Sequence, residues 1–173
     1  MPDAATTAPA QTAPRGLLNA RFISHGTLKC RDIERTRRFY EEVLGLEVVR
    51  TSPISLMLRL GGNHVYACVQ LGKGAELDVM PRHYHNGLDV ASKDDVDRAH
   101  ALVSESAGEW DITRITKPVE QHGTYSFMFW DLDGNCWEIL SNPANGYMWI
   151  FSQGDLAGKG HFDKQFLADR PAK

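Results

Sequence analysis

The chain lacks the features that mark membrane and nucleic-acid-binding proteins. No apolar run among its 173 residues reaches the roughly 18 residues that a membrane-spanning helix needs. The chain has 19 Lys and Arg residues and 22 Asp and Glu residues, which gives a net charge of −3, and its basic residues form no cluster in the sequence. Nothing therefore favours nucleic acid or an anionic membrane as a partner. The length and the apolar content of 42% predict one globular domain with a full core.

Cysteine is scarce as well. The three cysteines, Cys30, Cys68 and Cys136, are widely spaced and form no Cys-x-x-Cys pair. An odd number at such spacing argues against a disulfide framework. We therefore expect a reducing, cytoplasmic location.

The two ends of the chain differ from its centre. Residues 1–19 are rich in Ala, Thr and Pro and lack the basic start and apolar centre of a signal peptide, which predicts a disordered tail. Residues 143–173 follow the patterned segment 20–142 as an extension with an apolar strip, Tyr147–Phe151. We expect this extension to cover a module, close one end of a cavity or bind a second subunit.

Residues 20–142 contain an internal repeat. A strand, a helix and three short strands follow one another twice, with Asp32 and Ser92 as the predicted caps of the two helices. Repeats at this scale decide architecture more firmly than single propensities do. The sequence therefore predicts an α+β fold in which two βαβββ modules form a cup able to hold a metal.

Short motifs align the two halves. The pattern His25-x-x-Leu28 matches His85-x-x-Leu88, and the segment 62–66 matches the segment 134–138. This alignment places four side chains around one shared cavity: His25, Tyr66, His85 and Glu138.

Three of those four side chains have the chemistry of metal ligands. Glu138 lies in an apolar hairpin, where a carboxylate is costly to bury unless something positive meets it. A lone histidine is usually an ordinary polar residue, but His25 and His85 each open a strand at repeat-related positions. Two imidazoles and one carboxylate leave open positions on a divalent metal. We predict Fe(II) on His25, His85 and Glu138, with Mn, Ni, Co or Zn as alternatives.

Other polar and aromatic side chains are candidates for chemistry or substrate binding. His122 could act as a general acid or base, and Tyr66 could move a proton. His83 is two residues from His85 and would share its face of a strand. The strand 124–130 should turn one face towards Glu138 and the cavity, and its substrate-binding candidates are Thr124, Met128 and Trp130.

The repeat, the helix end Arg37-Arg-Phe-Tyr-Glu-Glu-Val-Leu-Gly-Leu46 and the motif Asp131-x-Asp-Gly-Asn-x-x-Glu138 resemble the vicinal oxygen chelate superfamily. That superfamily includes glyoxalase I, fosfomycin- and bleomycin-resistance proteins and type I extradiol dioxygenases. The resemblance implies paired modules around a divalent metal that chelates two oxygens of a small substrate. The positions that match its ligands are His25, His85 and Glu138.

The resemblance leaves three functions open. A ferrous extradiol-like dioxygenase acting on a small aromatic diol is favoured, since the segment His122–Tyr125 resembles the His-Gly segment of that group. The alternatives are a lyase, isomerase or thiol transferase using Mn, Ni or Zn, and a metal-free protein that binds a small molecule. We expect a homodimer in each case.

Overall fold

The computed structural model describes residues 17–18, 20, 22–121, 123–143 and 146–155. Its first module contains β1 (His25–Cys30), α1 (Ile33–Glu42), β2 (Glu47–Ser52), β3 (Ser55–Arg59) and β4 (Val65–Gln70). The four strands form a sheet in the order β1-β4-β3-β2. β1 pairs in parallel with β4, and the other pairs are antiparallel.

The second module repeats this plan after a short 3-10 helix at Arg82–Tyr84. Its elements are β5 (Asn86–Asp89), α2 (Lys93–Ser106), β6 (Val119–Gln121), β7 (Thr124–Trp130) and β8 (Cys136–Ser141). The sheet order is β5-β8-β7-β6, with β5 parallel to β8. The predicted α+β fold of two βαβββ modules is confirmed.

The helices begin and end for local reasons. The Asp32 carboxylate accepts hydrogen bonds from the backbone N–H groups of Glu34 and Arg35, which the first turn of α1 leaves unpaired. Ser92 accepts from Asp95 in the same way at the start of α2. Gly45 has a φ of 66°, a left-handed conformation that prevents the helix from continuing after α1. Glycine adopts this conformation without the steric penalty of a Cβ atom.

The segment from Ile112 to Thr116 has the apolar pattern of a strand, but within it the structure shows a β-bridge at Ile115, to Phe129, and the edge strand β6 begins later, at Val119. The apolar pattern there has another cause, because Ile112 belongs to the shared core.

Both modules contribute to one core between the helices and the sheets. Aromatic rings dominate it, including Phe39 of α1, which meets Trp110 and Phe129 edge to face at centroid distances of 5.5 and 6.5 Å. Phe127 and Trp137 are also buried in this core. The second-module strands β7 and β8 thus turn one face towards α1 and α2, and the opposite face is left for Glu138 and its neighbours.

The turn between β7 and β8 ties the second module to the first through hydrogen bonds. The backbone N–H of Arg31 donates to Asp133 at 2.8 Å, and the Thr36 hydroxyl donates to the same carboxylate. The Asn135 amide donates to the carbonyl of Lys29 at 3.1 Å. This buried polar contact makes the geometry of β8, and hence of Glu138, depend on α1 and β1.

Asp131 lies at the centre of this turn and is fully enclosed. Its oxygens accept hydrogen bonds from backbone N–H groups of Asp133 and Asn135, from Tyr40 Oη at 3.2 Å and from Trp137 Nε1 at 3.0 Å. These donors favour the ionised carboxylate, but loss of hydration outweighs them, so burial raises the pKa of Asp131 to about 6.

Replacing Asp131 with Asn should remove a pH-dependent part of the stability. Because the folded chain holds this proton more tightly, the carboxyl's contribution is complete below about pH 4 and is lost as pH rises to about 6. The shift corresponds to about 3 kcal/mol in the free energy of unfolding. Urea unfolding at pH 4 and pH 7 should show this loss in the wild type and its absence in Asp131→Asn. Equal pH dependence of both proteins would contradict the assignment.

The ends of the chain are described only in part. Of the predicted tail, only Leu17 and Leu18 are among the described residues, and the extension is described at residue 143 and over residues 146–155. Most of its strip lies in a helix, α3, which spans Met148–Gln153. None of the helices in the described segments is long and apolar enough to cross a membrane.

Candidate metal centre

His85 lies between the 3-10 helix and β5, and its ring orientation is fixed by the backbone. Its Nδ1 atom is 2.7 Å from the carbonyl oxygen of Arg82. A carbonyl oxygen can only accept, so Nδ1 carries the hydrogen and donates it. The other ring nitrogen, Nε2, is therefore free to present its lone pair in the neutral imidazole.

Glu138, which lies in β8, contacts Nε2 of His85. Glu138 is 7% exposed, and its Oε2 atom lies 3.1 Å from Nε2 of His85. The other carboxylate oxygen, Oε1, accepts a hydrogen bond of 2.7 Å from the Ser126 hydroxyl. A lone-pair nitrogen and a carboxylate oxygen are both acceptors, so only a cation between them, a proton or a metal ion, satisfies the pair.

The face of β7 beside Glu138 matches the sequence prediction. Thr124, Ser126, Met128 and Trp130 are all buried on that side, and the alternate residues Phe127 and Phe129 belong to the core under the helices. Thr124 is 4% exposed and donates through its hydroxyl to the carbonyl of Gln121 at 3.1 Å. Its role in substrate binding stays a prediction.

Met128 and Trp130 are both buried. Together with Cys136 they form a small apolar cluster against Met80. Trp130 donates from Nε1 to the Met80 carbonyl at 2.7 Å, and the Arg114 guanidinium lies 3.9 Å above its ring. The segment before the 3-10 helix therefore packs on these two residues through Met80, and their role in substrate binding stays a prediction.

Tyr66 lies on the opposite side of its sheet from the predicted position. Its ring packs at the edge of the main core, 6.1 Å from the ring of Trp137 and beside Gly26, where an added Cβ would come within 2.7 Å of it. Burial raises the pKa of its hydroxyl. Trp137 and Glu138 are neighbours in β8 and point to opposite faces of the sheet. Tyr66 lies on the core face, as Trp137 does, so the alignment that matched Tyr66 with Glu138 is wrong by one residue. The catalytic role predicted for Tyr66 loses its basis.

Two other predicted histidines are placed differently. His83 lies in the exposed 3-10 helix and not on a strand with His85, so the shared strand face predicted for the pair is wrong. His122 lies outside the described residues, and its role as an acid or base stays a prediction.

His25 begins β1 on the first sheet and is exposed, with Nδ1 2.8 Å from the Ser24 hydroxyl. Within the described part of one chain, no three His, Cys, Asp or Glu side chains are grouped so that they could hold a metal ion. The structure thus brings together His85 and Glu138 and leaves His25 apart from them in the same chain.

The chain is similar to known proteins in sequence and in structure. The sequence profile of the Glyoxalase/Bleomycin resistance protein/Dioxygenase superfamily matches residues 22–139. The protein belongs to this superfamily. The resemblance found in the repeat and the Asp131–Glu138 motif is therefore confirmed, and small-molecule binding and divalent-metal dependence are typical of the superfamily. No curated protein matches the chain significantly.

Solved structures of the superfamily share the fold. A possible glyoxalase from Bacillus cereus is 22% identical, with a TM-score of 0.56 over 70% of this chain and 99% of that one. A glyoxalase/dioxygenase from Nostoc punctiforme is 20% identical, with a TM-score of 0.56 over 82% and 99%. A fosfomycin resistance protein from Mesorhizobium loti is 24% identical, with a TM-score of 0.52 over 75% and 98%. At these identities the similarity shows the fold alone.

The His85–Glu138 pair has neighbours that the sequence did not indicate. Gln121 and Arg82 are connected to the Glu138 side chain through Ser126. Tyr147 of the extension has a pKa raised first by burial and then by the charges of Glu138 and Asp89. Strand alternation was enough to place Ser126 beside Glu138, but no pattern in the sequence indicates that the 3-10 helix and the extension return to this face.

Proposed function

We propose that this protein is a divalent-metal-dependent enzyme of the superfamily whose metal is held by His85 and Glu138 of one chain and His25 of a second copy. The observation that carries the proposal is the 3.1 Å approach of the His85 Nε2 lone pair to Glu138 Oε2. Imidazole nitrogen and carboxylate oxygen are both ligands that divalent metals take. The pair would therefore hold such an ion through His85 Nε2 and Glu138 Oε2.

The surface around His25 supports a second copy as its source. The β1 residue His25 points away from the core residues Leu28 and Cys30, on the sheet face that the helices do not cover. That face also carries half-buried or exposed apolar side chains: Val49, Met57, Val65, Ala67 and Val69. On the second sheet the matching face is buried along β7 and β8. An uncovered apolar face next to a ligand candidate is typical of a subunit interface, which favours a homodimer.

The three proposed ligands limit which metals can bind and which reactions they can support. Two imidazoles and one carboxylate hold Fe(II), and also Mn, Co, Ni or Zn, and leave positions open for two substrate oxygens. When bound, the metal supplies Lewis acidity and a template for those oxygens. Glu138 would contribute a carboxylate in a nearly dry setting, and His85, whose Nδ1 donates to the Arg82 carbonyl, would present Nε2 to the metal. We propose Fe(II) and ring cleavage of a small aromatic diol as the reaction, with His122 as the acid or base.

The three buried cysteines, all free, support a reducing cytoplasm as the place of action.

Metal analysis of protein purified without a chelator, followed by an oxygen-electrode screen of catechols, tests the proposed function. We expect about one iron per chain and oxygen uptake with at least one diol. Stoichiometric Mn, Ni or Zn without oxygen uptake would replace the dioxygenase with a lyase, isomerase or thiol transferase. A protein that binds no divalent ion would overturn the metal-dependent enzyme and leave a small-molecule binding protein.

A further inference from the structure

A closed hydrogen-bonded circuit surrounds the His85–Glu138 pair. The Arg82 guanidinium donates to Gln121 Oε1 at 3.1 Å, and Gln121 Nε2 donates to Ser126 Oγ at 3.2 Å. Ser126 then donates to Glu138 Oε1 at 2.7 Å. The circuit closes through His85, which meets Glu138 at one ring nitrogen and the Arg82 carbonyl at the other.

The direction of every bond in this circuit follows from Arg82. A guanidinium has donors only, so the Gln121 atom that it meets must be the amide oxygen. The Gln121 nitrogen therefore donates to the Ser126 oxygen, and the single hydroxyl hydrogen of Ser126 is left for Glu138. On the other arm, the Arg82 carbonyl can only accept the Nδ1 hydrogen of His85. Arg82 thus determines the direction of the hydrogen bonds that reach Glu138 Oε1 and, through its carbonyl, the tautomer of His85.

We propose that Arg82, Gln121 and Ser126 are positioning residues that make Glu138 bind metal through Oε2 alone. This inference rests on the proposed function. Ser126 is fully buried and its hydroxyl occupies Oε1, so rotation of the carboxylate to present both oxygens would break the bond to Ser126. Arg82 is exposed and Gln121 half-buried, so the circuit links the buried carboxylate to the protein surface. Loss of such outer partners of a ligand typically costs about 10–100-fold in metal affinity.

Calorimetric titration of the metal-free full-length protein with Co²⁺ tests the inference. Ser126→Ala should weaken Co²⁺ binding by about tenfold or more. Gln121→Ala should weaken it less, because the Ser126 hydroxyl remains beside Oε1. Since Gln121 is connected to Glu138 through Ser126 within the described residues, the double variant should bind no more weakly than Ser126→Ala. A general loss of packing would give additive losses of affinity, so this non-additivity distinguishes the circuit from such a loss.

The matched control is Tyr125→Phe. It removes a hydroxyl from the same strand, but that hydroxyl donates to Asp97 on the other side of the sheet. Tyr125→Phe should keep the Co²⁺ affinity of the wild type, and circular dichroism melting checks that all variants fold. If Ser126→Ala fails to fold, Gln121→Ala alone still tests the circuit, because an unchanged affinity in that variant would overturn it.

The two proposals can fail separately. A wild-type protein that binds no Co²⁺, Fe²⁺ or Mn²⁺ overturns the proposed function and the positioning role with it. A wild type that binds metal while folded Ser126→Ala binds it equally well overturns the positioning role only. Additive losses in the double variant would likewise overturn the circuit, because they would mean that Gln121 acts on the metal by another route.

Discussion

Glu138→Gln should abolish metal binding while leaving the fold intact. Glutamine has the same shape, and its amide oxygen can still accept the hydrogen bond from Ser126. Its amide nitrogen would then face Nε2 of His85 at the 3.1 Å now separating the two acceptors, and would donate to that lone pair. The pair is satisfied without a cation, and the negative charge is gone. We expect a loss on the order of 100-fold or more in Co²⁺ or Fe²⁺ affinity, beyond the loss typical of outer partners.

Metal content after purification and calorimetry measure this effect directly. Glu120→Gln is the matched control, because Glu120 is an exposed carboxylate on β6 whose partner is Lys93. It should retain the metal content and affinity of the wild type. Undiminished metal in folded Glu138→Gln would rule out Glu138 as a ligand and, with it, the proposed centre.

The fold followed from periodic signals in the sequence. Asp32 and Ser92 cap the two helices as predicted, and the two-residue alternation of β7 and β8 separates the core residue Trp137 from Glu138. These are local properties, since a capping side chain or an alternating strand depends on its own neighbours. The twofold recurrence of the pattern then predicts two modules, because each module needs the other to bury its apolar residues.

The register between the two halves was harder to predict. Matching Gly62–Tyr66 with Gly134–Glu138 used the glycine turns, but the two turns, 60–64 and 131–135, have equal lengths and carry their glycines at different positions. In the structure Tyr66 pairs with Gly26 of β1 and Glu138 with Gly87 of β5, yet Tyr66 faces the core and Glu138 faces away from it. A shift of one residue changes the face of a strand residue completely. This is why Tyr66 was predicted at a corner of the site where its ring is absent.

The partners of Glu138 and His85 depend on chain segments without periodicity. Arg82 acts on His85 through a backbone carbonyl, which every residue type has, so the sequence carries no signal for it. Met80 covers Trp130 through another carbonyl. Contacts of this kind follow from the path of a loop and not from residue type, and only the structure reveals them.

Two inactive variants should restore metal binding when their subunits are mixed. If His25 of one copy completes the site formed by His85 and Glu138 of the other, a dimer of His25→Ala with Glu138→Gln has one intact site and one doubly damaged site. Random mixing makes half of the dimers mixed, so about one quarter of the wild-type high-affinity sites should reappear. Co-expression of the two variants with different tags, followed by metal analysis of the dimers carrying both tags, measures this recovery, and about one half of the sites in these selected dimers should be intact.

The pairing of variants distinguishes a shared site from a general effect of mixing. His85→Ala combined with Glu138→Gln damages the same half of the site in both subunits, because the two residues face each other within one chain at 3.1 Å. No arrangement of subunits then contains an intact set, and this mixture should recover nothing. Recovery in the first mixture and not in the second would assign His25 to the partner copy. A verified mixed dimer of His25→Ala and Glu138→Gln without restored sites would place the third ligand elsewhere and reduce the centre to the His85–Glu138 pair.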